Sequence, residues 1–123
     1  MHLRNIFKNN RPDFSLLALE FPNFHQYVKT GNSGKSFINF KDPSALRCLS
    51  TVLLKKHFGI SLDIPLDRLI PTIPLRLNYI HWVEDLLEMN KDITDDVITG
   101  IDVGTELINK NTFFGLTVSL YEI

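Results

Sequence analysis

Apolar residues come in blocks along this chain, and the spacing within each block predicts its own kind of element. Residues 1–12 are mainly polar and basic and close on Arg11-Pro12, which reads as an extended arm. Asp13 then offers a side-chain acceptor to the free amides of a helix N-terminus, and Phe14, Leu16, Leu17, Leu19 and Phe21 supply a dense apolar face for a short helix. Pro22 is expected to end it. Phe24 to Val28 reads as one more turn, with Phe24, Tyr27 and Val28 inward. Thr30 to Ser36 is turn chemistry, and Phe37-Ile38-Asn39-Phe40 looks like a short strand.

From Pro43 to Phe58 the spacing becomes helical, with Leu46, Leu49, Val52 and Leu53 as its apolar stripe. Both ends are punctuated: Asp42 as cap, Pro43 at the first position, Lys55, Lys56 and His57 at the negative end of the dipole, Gly59 as terminator. Pro65, Pro71 and Pro74 break any regular helix between Ile60 and Leu75, so this stretch reads as an extended apolar connector packed on the body. A second helix is expected from about Leu77 to Met89, with Ile80, Val83, Leu86 and Leu87 inward and Glu84, Asp85 and Glu88 outward. Residues 90–96 form an acidic loop, and Val97 to Val103 a strand. Phe114, Leu116, Val118 and Leu120 then alternate with Gly115, Thr117, Ser119 and Tyr121, the pattern of a half-buried strand.

At 123 residues the chain holds about one core, and 44% hydrophobic with 22% charged residues suits a globular chain rather than a disordered one. No apolar run approaches the roughly 18 residues of a membrane span, and the N-terminus has no signal-like apolar core. Cys48 is the single cysteine, which excludes an internal disulfide and suits a reducing compartment, nucleus or cytoplasm. Inside its helix it reads as packing, not as a nucleophile. The net charge of −1 hides an asymmetry: residues 1–60 hold nine Lys/Arg against three acids, a net +6, and residues 61–123 hold four against eleven, a net −7. Such a basic half points to a polyanion-facing surface, or to two faces of opposite sign docking on each other.

Gly31-Asn32-Ser33-Gly34-Lys35-Ser36 has two residues between its glycines where a phosphate-wrapping P-loop has four, so it reads as a surface turn. His2, His25, His57 and His81 lie on separate elements without zinc-like spacing, and no metal site is expected. Ile98-Thr99-Gly100-Ile101-Asp102-Val103-Gly104-Thr105 looks like the first strand of a nucleotide-binding α/β domain entering its cofactor turn. There Gly100 and Gly104 would let a cofactor approach the backbone, with Asp102 orienting the turn; ordinary strand-end glycines are the alternative.

Phe40-Lys41-Asp42-Pro43, the run Asp63-Ile64-Pro65-Leu66-Asp67-Arg68-Leu69-Ile70-Pro71, Pro74-Leu75-Arg76-Leu77-Asn78-Tyr79-Ile80-His81-Trp82 and Gly100-Ile101-Asp102-Val103-Gly104-Thr105 together resemble one family over residues 1–105. It is the methyltransferase-like protein 16 family of RNA N6-adenosine methyltransferases, related to a bacterial 23S ribosomal-RNA adenine N6-methyltransferase. The resemblance implies an α/β fold: a mostly helical N-terminal RNA-binding module (13–96) behind a basic arm (1–12), then the first strand and partial glycine turn of a Rossmann-like methyltransferase sheet (97–105) and a divergent tail (106–123). It implies structured RNA as partner, U6 small nuclear RNA or a messenger hairpin, and S-adenosylmethionine as cofactor. Arg4, Asn5, Lys8 and Arg11 would contact phosphate and Lys41 would lie near the RNA groove. Arg76 would reach the cofactor's carboxylate, as a planar guanidinium suits; a salt bridge at the start of the second helix is the alternative.

The departures carry their own expectation. Position 106 is Glu where the family has a third glycine, bringing a second carboxylate toward the cofactor's own. The family's Asn-Pro-Pro-Phe adenine clamp is absent from the 123 residues. The switch after Thr105 reads as an alternative exon, a retained intron or a gene-model error, and the rest of the sheet is expected to be missing. The chain is therefore expected to keep RNA binding and not to hold the cofactor tightly or transfer a methyl group. A stand-alone RNA-binding competitor is the other reading.

Overall fold

The protein, seen as a computed structural model, is described over residues 1–90. In chain order the elements are α1 (Phe14–Glu20), α2 (Pro22–His25), β1 (Val28–Thr30), β2 (Ser36–Ile38), α3 (Pro43–Phe58) and α4 (Ile73–Met89). The expected strand over 97–103 and the alternating tail lie outside the described residues.

Local chemistry explains most of these boundaries. Asp13 caps α1 by accepting from the amides of Ser15 and Leu16. Pro22 both closes α1 and opens α2 at its first position, where a missing N–H costs nothing. Phe24, on α2, is wholly buried and anchors the small end of the core. The chain then forms an antiparallel hairpin with register Val28↔Ile38, Lys29↔Phe37 and Thr30↔Ser36. Val28 had been read as the end of a helical turn; here it begins β1, because Ile38 needs a partner strand on the core side. The Gly31–Lys35 loop closes with the Gly31 amide donating to the Lys35 carbonyl, and Gly34 takes φ +75, where glycine has no side chain to clash.

Helix α3 runs over the predicted residues. Asp42 accepts from the Ser44 amide at 2.9 Å, and Gly59 at φ 67 turns the chain out while its amide and that of Ile60 satisfy the carbonyls of Lys55 and Leu54. Its buried residues are Ala45, Ser50, Val52, Leu53 and Leu54, a broader face than the predicted stripe. The connector accounts for the difference: Ser50 Oγ donates to the Pro71 carbonyl at 2.7 Å and Arg47 donates to the Leu66 carbonyl, covering a second side of α3. Within the connector Ile64 and Pro71 are buried, whereas Leu66 and Leu69 stand in solvent.

Helix α4 begins at Ile73, four residues earlier than expected. Pro74 does not interrupt it, because it occupies the first turn, where proline is tolerated. Ile73 and Leu77 join the core formed by Leu17, Phe24, Ile38, Val52, Leu53 and Leu54, but Leu86, expected inward, faces out.

Candidate nucleic-acid interface

The arm is not extended. Its backbone turns, the Asn5 amide donating to the His2 carbonyl and the Lys8 amide to that of Asn5, and it straps α3 to α4. Phe7 is buried and packs edge-on against His57 at the end of α3, with ring centroids 5.0 Å apart. Asn5, 3% exposed, donates to the Pro74 carbonyl at 2.9 Å and to Asn78 Oδ1 at 2.8 Å, while its own Oδ1 accepts from the Phe7 amide. Every hydrogen-bonding position of that amide NH₂ is thus used within the protein.

Two residues earlier the contacts become ionic. Arg4 lies 2.9 Å from Glu84 and also bridges Asp85 and the His81 carbonyl. His2 Nδ1 accepts from the Arg4 amide, so Nε2 carries the hydrogen donated to Asp85 at 2.7 Å. His81 Nδ1 meets Glu84 at 2.8 Å, and its ring stacks on His2 with centroids 5.1 Å apart. The hydrogen bond from His2 pulls the Asp85 carboxyl below its usual range; Arg4 adds to the effect and partial burial opposes it. Opposite-sign docking, one of the two readings of the charge asymmetry, is therefore realised at this end of the arm.

The other face of the charge asymmetry is open. Lys8, Arg11, Lys29, Lys35, Lys41 and Arg76 are exposed and enter no ion pair among the described residues. Strand register fixes the side on which Lys29 stands. Lys29 and Phe37 are directly paired, and because side chains alternate, they face away from Val28 and Ile38, which point to the core. Phe40 packs on Phe14 with centroids 6.2 Å apart, joining the start of α1, just after Arg11, to the start of α3, just after Lys41. Ser15 and Ser36 hydrogen-bond through their hydroxyls and bring Lys35's end of the hairpin to the same region. The hairpin thus carries Lys29 and Phe37 on its outward face, and Arg11, Lys35, Lys41 and Phe40 are exposed on the segments that flank it. Exposed cations and exposed rings are the kinds of group from which nucleic-acid faces are built. Lys29 and Phe37 escaped the sequence reading as site residues, since only the hairpin register reveals their common side.

Of the residues predicted for the cofactor, Arg76 is described: it sits in the first turn of α4, exposed, its guanidinium open to a carboxylate. Gly100, Asp102 and Gly104 lie outside the described residues. Beside α3 a groove of about 840 Å³ includes Tyr27, Arg47, Cys48, Lys55 and Asp63, and holds none of the predicted site residues. Burial there pushes the Cys48 thiol up, keeping it protonated and inert. Among the described residues no group of three or more His, Cys, Asp or Glu could hold a metal ion, and no helix is long and apolar enough to cross a membrane.

Comparison with known proteins identifies this architecture. Residues 1–116 match the profile of a family described as RNA methyltransferase. The chain belongs to that family. It is 52% identical over 105 residues to the human RNA N(6)-adenosine-methyltransferase METTL16, covering 85% of this chain and 19% of that protein. It is 45% identical over 105 residues to the U6 small nuclear RNA (adenine-(43)-N(6))-methyltransferase of Caenorhabditis elegans, covering 85% of this chain and 22% of the relative. The chain thus spans about a fifth of the length of these relatives. Among solved structures, the N-terminal domain of human METTL16 in complex with SAH superposes with a TM-score of 0.70 at 53% identity, over 78% of this chain and 36% of that one. The hMettl16 catalytic domain in complex with MAT2A 3′UTR hairpin 6 gives 0.70 at 56% identity, over 73% and 32%. The mixed helical fold with its two-stranded hairpin is that of the N-terminal portion of an RNA methyltransferase domain.

Proposed function

We propose that this chain supplies the RNA-gripping module of an S-adenosylmethionine-dependent RNA adenine N6-methyltransferase, and that the 123-residue chain alone binds structured RNA without transferring a methyl group. The observation that carries the reading is Lys29 beside the exposed ring of Phe37 on the outward face of the hairpin, with Arg11, Lys35, Lys41 and Phe40 also exposed, on a fold shared with a catalytic domain solved on a messenger hairpin. Each lysine or arginine placed on a phosphate releases a condensed counterion, and the two rings offer stacking surfaces to unpaired bases of a loop or bulge.

S-adenosylmethionine would supply the methyl group in the assembled enzyme. What this chain contributes toward it is Arg76, a guanidinium held at the helix start and free to pair with a carboxylate. Transfer to an adenine amino group needs that base clamped in line with the donor, and the 123 residues contain no Asn-Pro-Pro-Phe sequence to clamp it. Arg4 and Asn5 act in this reading as supports: they fix the arm on α4, leaving Lys8 and Arg11 as its phosphate contacts.

The test is hairpin-RNA binding across a salt series. Engagement of about four phosphates gives a logarithmic slope near −3 to −4 for duplex-like sites. Lys29→Glu and Lys41→Glu should each weaken binding and flatten that slope, and labelled S-adenosylmethionine should yield no methylated product. Salt-independent binding, or turnover by the chain alone, would refute the reading. If binding holds, excess chain should also slow methylation of the same hairpin by a full-length relative.

A further inference from the structure

The groove beside α3 carries a chemistry that neither the arm's clasp nor the outward face of the hairpin uses. Its floor is one face of α3, where Ser44, Arg47, Cys48, Thr51, Val52 and Lys55 recur at helical spacing. Tyr27 and Asn23 line it before the hairpin, and Ser61 to Ile64 line it from the connector. Its volume of about 840 Å³ lies within the ~300–1,000 Å³ of clefts that hold small organic groups.

Two of the lining residues are cations with donors to spare. Arg47 gives one N–H to the Leu66 carbonyl at 3.2 Å, while its Nε is buried without a hydrogen-bond partner. Lys55 donates to the Ser61 hydroxyl at 3.0 Å. Neither enters an ion pair among the described residues. Eight positions separate them, so their Cα atoms stand about 12 Å apart along the helix axis. The same groove holds the half-buried Tyr27 ring and the exposed Asp63 carboxylate, which no described residue engages. An acidic peptide would meet the two cations but be repelled by Asp63. An unpaired nucleotide uses all four groups: cations for phosphate, the ring for stacking, and the carboxylate to accept from the amino group of adenine or cytosine.

The groove also begins where the exposed cations end. Tyr27 is two residues before Lys29 and Ser44 three after Lys41, separations the backbone limits to about 7 and 11 Å. We propose that this groove is a second RNA subsite, taking the unpaired nucleotides that flank a hairpin held at Lys29 and Lys41. The subsite rests on the RNA-binding reading above, which a blunt hairpin tests by itself.

The experiment compares a blunt hairpin with the same hairpin carrying an adenine-rich single-stranded tail of about six nucleotides on its 5′ or its 3′ side, a usual site size. One of the two tails should tighten binding about ten-fold and steepen the logarithmic salt slope by about 1.4, or 0.7 for each phosphate engaged. Lys55→Ala should remove about half of that added slope and leave blunt-hairpin affinity unchanged, with Lys55→Arg restoring it. Asp63→Asn should erase the preference for an adenine tail over a uracil tail. Cys48 is the sole thiol, so its alkylation by iodoacetamide at mildly alkaline pH reports on the groove alone. The tailed hairpin should slow that reaction several-fold and the blunt one should not. Blunt-hairpin binding with no gain from either tail, or with Cys48 unprotected, would overturn the subsite and leave the RNA-binding reading standing; failure of every RNA to bind would end both. Equal protection by free adenosine monophosphate would make this a small-nucleotide site instead, and stronger protection by a glutamate-rich peptide a protein-docking one, either of which overturns the proposal.

Discussion

Helices α3 and α4 are nearly the same length, 16 and 17 residues, yet they are held in opposite ways. Helix α3 is enclosed: Phe24's helix packs on one side, the connector on another, and five of its residues are buried. Both its termini are closed by local chemistry, Asp42 at the start and Gly59 at the end. Helix α4 buries only Ile73 and Leu77, its Thr72 cap makes no side-chain hydrogen bond, and its attachment runs instead through the arm's polar contacts. One helix is kept by apolar burial, the other largely by a strap of hydrogen bonds and ion pairs. Hydrophobic burial scales with area and tolerates small shifts, whereas a polar clasp stands or falls with individual atoms.

The largest contrast should come from charge placed on each helix. Val52→Asp puts an unpaired carboxylate into the centre of the core, a penalty comparable with a domain's whole stability of about 5–15 kcal/mol, so cooperative thermal unfolding should disappear. Leu75→Asp on α4 should lower the midpoint far less; equal losses would end the distinction. Next is the clasp itself. Asn5→Ala removes the donor to the Pro74 carbonyl, one of the two donors to Asn78 Oδ1 and the acceptor of the Phe7 amide, and should cost about 1–3 kcal/mol, with faster proteolysis at Arg4 and Lys8 as the arm lifts. Smaller again is the capping contrast. Asp42→Ala should destabilise by about 1 kcal/mol in a denaturant titration, and Thr72→Ala by almost nothing.

The smallest effect is in pH. Burial lowers the His57 pKa, with Lys56 adding and Glu20 opposing, so the folded state binds fewer protons than the unfolded one. Its contribution is therefore complete above the unfolded value of about 6.5 and fades as pH falls through that window. The Asp85 carboxyl is also depressed, so its contribution is present above the ordinary carboxylate value of about 3.9 and is lost only as pH falls through the lower folded value. Acidification should thus loosen the arm in two stages, first at α3 and then at α4, read by protease sensitivity of the arm. Asp85→Asn should abolish the second stage alone.

Much of the fold was legible wherever the governing interaction is short-range. Asp13, Asp42, Pro43 and Gly59 each act within about four residues, so α1 and α3 could be bounded by inspection. Pro74 misled, because the same residue breaks a helix interior and suits a helix start, and only the burial of Ile73 shows which applies. The hairpin was half read: β2 has a visible apolar pattern, while β1 is three residues long with none. Among candidate site residues, Lys41, Lys8, Arg11 and Arg76 are placed where an anion can reach them. Gly100, Asp102 and Gly104 fall outside the described residues.

What the amino-acid order determined by itself is the helix punctuation, the concentration of positive charge in residues 1–60 and the family signature, all properties of neighbouring residues or of sums over them. What the tertiary structure decided is which of those charges remain available. Arg4 meets Asp85 across 81 positions and is neutralised, while Lys29 shares a face with Phe37 through strand pairing and stays open. Coulombic and hydrogen-bonding energies depend on separation in space, and nothing local in the sequence encodes a separation between residues so far apart along the chain.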